Sequence, residues 1–237
     1  MHIITLSFDD GFKKSNLKIA DIYEKHGLSA CFNIIASGHA GDFVSPDSYQ
    51  DEINKGDFEI WNKLQDRGHE IMPHSWKHAR LPDLPIEEAT ELMERCLSTF
   101  ESELAGFERA ASVFNFPYNF SSPELEGWLK TQVRAYRTRV EGIQQGINPL
   151  PSPDLVALGT CGFGPGNCEE HLDQTIEALL AKPDGWLIYN THGLDGEGWG
   201  PIGEDYLIRL LERLLKIASV KIMPTAKALH QVDQLST

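Results

Sequence analysis

Short apolar or β-branched runs alternate along this chain with longer segments of helical period, and that alternation narrows the fold to parallel strands joined by crossover helices. The clearest strands are Ile3 to Phe8, Ala30 to Ile35, Glu70 to Met72, Ser112 to Phe114, Leu155 to Leu158 and Trp186 to Asn190. Between them, Leu17-Ile19-Ile22-Tyr23, Trp61-Leu64, Ala89-Leu92-Met93-Cys96 and Ile176-Leu179-Leu180 fall at amphipathic helix spacing. Gly27 and Gly68 stand where two of those helices would end. Six or so strand and helix repeats in 237 residues suit a barrel or a large open sheet, and spacing by itself leaves both open. The stretch from Ser37 to Lys55 breaks the rhythm with Gly, Asp and Ser, and reads as an inserted loop or lid.

No Pro/Ser/Gly-rich or single-charge run separates two halves, so residues 1–237 are expected to form one domain. With 21 Lys+Arg against 35 Asp+Glu, the formal charge of -14 argues against a nucleic-acid partner. Arg134, Arg137 and Arg139 make too small a basic cluster to change that. No apolar run approaches the ~20 residues of a membrane helix, so no membrane partner is expected. Strand-like residues begin at His2, directly after Met1, which leaves no signal-peptide pattern and gives a cytoplasmic reading. The scattered cysteines Cys31, Cys96, Cys161 and Cys168 are then expected to be reduced. Oligomeric state is open.

Four polar clusters fall just beyond the carboxyl ends of candidate strands, the edge where α/β folds build their sites. The first is Asp9-Asp10-Gly11, two adjacent carboxylates with a glycine exit. The second is Pro73-His74-Ser75-Trp76-Lys77-His78, whose two histidines four apart have metal-ligand spacing. The third is Asn115-Phe116-Pro117-Tyr118, and the fourth Asn190-Thr191-His192-Gly193. Each has an ordinary reading by itself: an N-capping aspartate, a pair of surface histidines, a structural His192. Their convergence on one edge favours a site. Two histidines with one carboxylate suit zinc, another divalent transition ion or ferrous iron, with positions left for water and substrate. His2, His26, His39, His69, His171 and His230 share no such convergence and read as structural or exposed.

In this order and spread from residue 7 to residue 192, SFDDG, GHEIMPHSWKH, FNFPY and LIYNTH resemble the successive motifs of the polysaccharide deacetylase superfamily, the NodB-homology domain. The resemblance implies a distorted (β/α) barrel of about seven strands and hydrolysis of an N-acetyl or related amide on a saccharide or sugar conjugate. It implies Asp10, His74 and His78 as ligands of one divalent metal, zinc first among the candidates, Asp9 as catalytic base and His192 as general acid. The backbone N–H of Tyr118 resembles the second donor to the oxyanion. Asn115, Pro117, Tyr118 and Trp199 are taken as substrate-facing, Trp199 from a Gly-rich loop where its ring either stacks on a sugar or pins the loop.

The chemistry suits those roles. An amide carbon is a poor electrophile, and a metal helps by polarising its oxygen and acidifying bound water. One aspartate bound to metal leaves its neighbour to accept a proton. Two departures stand out. The family carries an Arg where this chain has Asn115, and Arg134 or Arg137 would have to replace it from a neighbouring strand. No match to the aspartate motif that supports the acid histidine is found. Two other readings remain: an amidase acting on a small non-sugar amide or ureide, which the lack of a signal-peptide pattern favours, and a silent barrel that binds a sugar or metal, which Asn115 motivates.

Overall fold

Every residue of the first strand, β1 (His2–Asp10), is buried, which requires partners on both edges and packed layers on both faces. The computed structural model supplies them, and it describes residues 1–41, 43–44, 54–164, 166 and 168–233, the side chains of 232 and 233 excepted. In chain order β1 is followed by α1 (Lys13–Lys25), β2 (Cys31–Ile34), α2 (Phe58–Asp66), β3 (Glu70–Pro73), α3 (Ile86–Glu103), β4 (Val113–Asn115), α4 (Pro123–Leu129) and β5 (Ala135–Thr138). Then come β6 (Ile147–Asn148), β7 (Ala157–Gly159), α5 (Cys168–Leu180), β8 (Gly185–Thr191), α6 (Glu204–Leu214), β9 (Val220–Ile222) and α7 (Thr225–Asp233).

One sheet runs β3-β2-β1-β8-β6 and a second runs β4-β5-β7, all pairs parallel except β6 on β8. Two seams join them. Past the end of β7, Cys161 forms a parallel bridge with Tyr189 of β8. On the other side β4 lies beside β3 without a ladder, held by Asn115 Nδ2 donating to Pro73 O at 3.3 Å and by His74 Nδ1 donating to Asn115 O at 2.9 Å. The circuit β1-β2-β3-β4-β5-β7-β8 is the seven-stranded distorted barrel that the motifs implied. On one edge, β1 pairs β2 along Ser7–Asp10 and β9 along His2–Ile4.

Alternation along the strands divides inside from outside. Ile4, Leu6 and Phe8 face the helices and join the main core with Ile19, Tyr23, Leu97 and Leu207. Ile3 faces inward, where it packs with Val113, Ala135, Leu158, Trp186 and Ile188, and Ala226, Ala228 and Leu229 of α7 plug that end. One rung further up, the interior turns polar at Thr5, Ser7, Asn33, Asn115 and Arg137, all buried. The apolar floor thus supports a polar layer, and the site sits on it.

All six expected strands form, with ends shifted by one or two residues. Gly27 and Gly68 have φ of 68° and 91° just past the ends of α1 and α2, as helix-terminating glycines require. The four cysteines are free thiols. Of the segment expected as a loop or lid, 42 and 45–53 lie outside the described residues; its end is tied to the exit of β1, with Gly56 N donating to Gly11 O and Phe12 bridging Lys55. Among the described residues no helix is long and apolar enough to cross a membrane.

The plug depends on one carboxylate. Glu70 at the start of β3 accepts from the Thr225 hydroxyl at 2.8 Å and from the backbone N–H groups of Ala226 and Lys227 at 3.1 and 3.0 Å, so it caps α7 from another element. Glu70→Ala is expected to cost about 1–2 kcal/mol and to lower Tm by ~2–4 °C for each kcal/mol. Glu70→Gln, which keeps one acceptor, should lose less, and thermal unfolding of the two variants checks the order.

Candidate active site

Adjacent residues of a strand point to opposite faces, yet Asp9 and Asp10 both line one cavity. The backbone resolves this by leaving the β region at Asp10, whose φ is 76°, with Gly11 following at 79°. Ser75, His78, Tyr118 and Asn119 also have positive φ, so left-handed non-glycine backbone gathers at this end of the barrel, a mark of strain retained for function.

Asp9 is held by a buried network. Arg137 straddles its carboxylate, Nη1 donating to Oδ1 at 2.9 Å and Nη2 to Oδ2, and Nη1 also reaches Ser7 Oγ. Asn33, the register partner of Asp9 on β2, donates to Oδ1 at 2.8 Å. Asn115 Nδ2 in turn donates to Asn33 Oδ1 at 2.8 Å. Burial would raise the Asp9 carboxyl, but Arg137, with His74 and His192 behind it, offsets that and leaves it below the ordinary value. Arg137 is the register partner of Asn115, so the arginine expected at 115 is supplied from the next strand. Arg134, the other candidate, instead bonds Leu155 O and Ser152 O.

Asp10, His74 and His78 form the second cluster. His74 Nε2 and His78 Nε2 lie 3.4 and 3.3 Å from Asp10 Oδ1, and the three donor atoms lie within 4.8 Å of one another, all buried. Ligands at ~2.0 Å around a tetrahedral ion stand about 3.3 Å apart, so the donor set fits a divalent metal. The His74 tautomer agrees: Nδ1 donates to Asn115 O, which leaves the Nε2 lone pair for the ion. The two histidines meet across a bend rather than a helical turn, with the Ser75 hydroxyl accepting from His78 N at 3.1 Å. Burial raises the Asp10 carboxyl, yet His78, Lys55 and His192 hold it well below the ordinary range. Lys55 is itself buried, its Nζ 3.6 Å from the centre of the Phe12 ring, and burial pushes its amine down to about 8 against the pull of Asp10 and Glu197.

His192 enters from the end of β8, its Nε2 3.8 Å from Asp10 Oδ2. Its Nδ1 has no hydrogen-bond partner among the described residues, so no carboxylate supports the imidazole from behind. Burial lowers its proton affinity, against the opposing pull of Asp10 and Asp9. Trp199 stands edge-on to His192 at 6.0 Å between ring centres and lines the cavity, so the ring both packs and faces inward. Tyr118 lies with its ring 4.7 Å from that of His78. The walls are completed by Asn119, Arg139, Thr160, Cys161, Gly162 and Asn190, around a volume of about 550 Å³, within the range of small-molecule sites.

Two expected substrate-facing residues do not reach the cavity. Asn115 is fully buried and spends its amide on Asn33, Pro73 and Val113. Pro117 is buried in the turn that shapes Tyr118. Both support the site from behind. Ser7, Asn33 and Asn119 carry no role in the sequence reading, and Asn190 enters it only as a member of the His192 cluster; Ser7 and Asn33 leave a trace as polar residues inside otherwise apolar strands.

Removing Arg137 alone strands a buried carboxylate. Arg137→Met should therefore cost about 3–5 kcal/mol, and adding Asp9→Asn should recover part of it, as a denaturation double-mutant cycle would measure. The pH dependence has a definite sign. Because the folded Asp9 carboxyl lies below its ordinary 3.8, the pair's contribution is complete above about pH 4 and is lost as pH falls through the depressed value. Wild type and Arg137→Met should converge in acid.

Residues 2–131, more than half of the chain, match the polysaccharide deacetylase family. Comparison with curated proteins finds none that matches. Among solved structures, the chain is similar to the Xyl-CE4 domain of a multidomain xylanase from the hindgut metagenome of Trinervitermes trinervoides (13% identity, TM-score 0.60, 97% of this chain and 90% of that one). It is also similar to the peptidoglycan deacetylase PdaC of Bacillus subtilis (15% identity, TM-score 0.59, 99% and 93%). A third, a CE4 family pseudoenzyme from Bacillus anthracis, shares 11% identity at a TM-score of 0.58, over 97% of this chain and 66% of that one. At such identities the likeness is one of fold. The barrel has the architecture of these structures and residues 2–131 match the family itself: this chain belongs to the polysaccharide deacetylase family.

Proposed function

We propose that the protein is a metal-dependent amide hydrolase that removes an N-acetyl or related acyl group from a saccharide or sugar conjugate. The observation that carries this is the placing of an arginine-held carboxylate, Asp9, beside a separate Asp10, His74, His78 cluster in one cavity. Asp10, His74 and His78 would hold a divalent ion, zinc or another transition ion, which would supply a Lewis acid for the acyl oxygen and acidify water. Asp9, ionised and aimed by Arg137, takes the proton of the attacking water. The Tyr118 backbone N–H donates to the oxygen that becomes negative. His192 protonates the departing nitrogen; a histidine of lowered proton affinity is a strong acid when charged but is charged less of the time. The alternative of a silent barrel is motivated by Asn115; the Arg137 guanidinium on Asp9 supports the hydrolytic reading over it.

Protein purified without chelator should carry about one divalent ion per chain, and His74→Ala with His78→Ala should abolish it in elemental analysis. Asp9→Asn should keep the ion and lose activity by about 10²–10⁴-fold, whereas Asp10→Asn should weaken metal binding. His192→Gln should lower kcat while sparing metal content. Acetate release from a panel of N-acetylated sugars supports the proposal. Turnover restricted to small cyclic amides or ureides would replace the sugar substrate, and a bound ion with no turnover on either set would sink the hydrolytic assignment.

A further inference from the structure

We infer that the substrate is anionic, carrying a carboxylate or phosphate beside the amide, and that Arg139 is the residue that binds that group at the cavity wall. This rests on the cavity being the substrate site, as proposed above.

Arg139 lines the same cavity as Asp9, Asp10, His74 and His78, and it is exposed. It stands two residues beyond Arg137, on the same inward face of the strand line and one rung nearer the opening. Its backbone is fixed, since Arg139 N donates to Asn119 O at 2.9 Å and so locks it beside the Tyr118 and Asn119 turn. Its guanidinium has no ion pair and no hydrogen bond among the described residues. Arg209 too has neither among the described residues, but of the two only Arg139 lines the cavity. Arg67 pairs with Asp21 and Glu24, Arg109 with Glu94 and Glu101, Arg213 with Asp173, and Arg137 with Asp9.

The charge around the cavity points the same way. Its carboxylates are Asp9 and Asp10. Arg137 neutralises the first, and a divalent ion on the cluster would more than neutralise the second. Arg139 then adds a positive charge with nothing on the protein to answer it. The overall charge of -14 repels an anion, so selection for one needs a local field of this kind. A guanidinium suits the purpose because its planar fork matches the paired oxygens of a carboxylate or phosphate. Asn119 and Asn190, which line the wall beside it, are joined by Asn119 Nδ2 donating to Asn190 Oδ1 at 3.0 Å. The recognising element is therefore a charged fork on a fixed mount.

The test separates this inference from the hydrolytic reading by measuring binding without turnover. Asp9→Asn protein loaded with zinc is titrated calorimetrically with N-acetylglucosamine, N-acetylglucosamine 6-phosphate and N-acetylmuramic acid. One anionic ligand should bind about tenfold tighter than the neutral sugar, and which one does so distinguishes phosphate from carboxylate. The preference should shrink in salt and vanish in Asp9→Asn/Arg139→Gln, with Arg139→Lys in the same background keeping part of it. Equal affinity for charged and neutral ligands, or no binding of either anion at millimolar concentration, overturns the inference. A preference that survives Arg139→Gln also overturns it, because the anion is then held by the metal. With active enzyme, Arg139→Gln should raise KM for the anionic substrate more than it changes kcat. If no sugar is hydrolysed but the binding preference is lost with Arg139, the hydrolytic reading fails and the anion site stands.

Discussion

The buried pair between Asp9 and Arg137 is the strut on which the site depends. It spans the barrel interior from β1 in one sheet to β5 in the other, with the two side chains 2% and 0% exposed. An ion pair in such a place forfeits hydration worth several kcal/mol per charge, and it persists only with close geometry and further hydrogen bonds. Ser7, Asn33 and, through Asn33, Asn115 supply those bonds. The polar layer is thus one connected unit drawn from β1, β2, β4 and β5, and a register slip in any of these strands would break it. Shape and chemistry share the same atoms: what holds the two sheets in relative position also aims the carboxylate.

The second cluster depends on the first in a less direct way. Asn115 turns its amide toward Asn33 and its carbonyl toward His74 Nδ1. One residue therefore orders the environment of Asp9 and sets the tautomer of a histidine in the Asp10 cluster. Its side chain and backbone work on opposite sides of the polar layer, which accounts for its complete burial away from the cavity. Left-handed backbone at Asp10, Ser75, His78, Tyr118 and Asn119 costs of order 1–3 kcal/mol per residue in general, and the apolar floor beneath, from Ile3 to Leu229, is what offsets it.

Much of this was legible in the sequence because it is local. Strands ending in Asp9-Asp10 and running into His74 and His78 announce themselves through apolar runs that stop at polar residues. The family motifs then placed the barrel. What stayed hidden is non-local or faint. β5 reads Ala135-Tyr136-Arg137-Thr138, and its inward positions are a small residue on the apolar floor, Ala135, and a charged one in the polar layer, Arg137, so it lacks the apolar signal of a strand. β6 and β9 are two and three residues long, too short for a period to show. The choice between Arg134 and Arg137 turned on pairing register, which one chain's spacing does not record. Asn115 and Pro117 were placed on the cavity wall because the motif is contiguous, whereas the turn at Tyr118 lets one member face the cavity and buries the others.

The register pairing of Asn115 with Arg137 has a bearing on how such chains are compared. Neighbouring strands stand about 4.8 Å apart, less than the reach of an arginine side chain, so a guanidinium rooted on either of two adjacent strands arrives at the same carboxylate. What the two arrangements share is then a charge at a point in space and not a residue at a position. A signature keyed to position 115 scores this chain as defective, although the cation it looks for is present one strand away. A barrel whose strands all aim their ends at one cavity is well suited to let either of two neighbours supply the same charge.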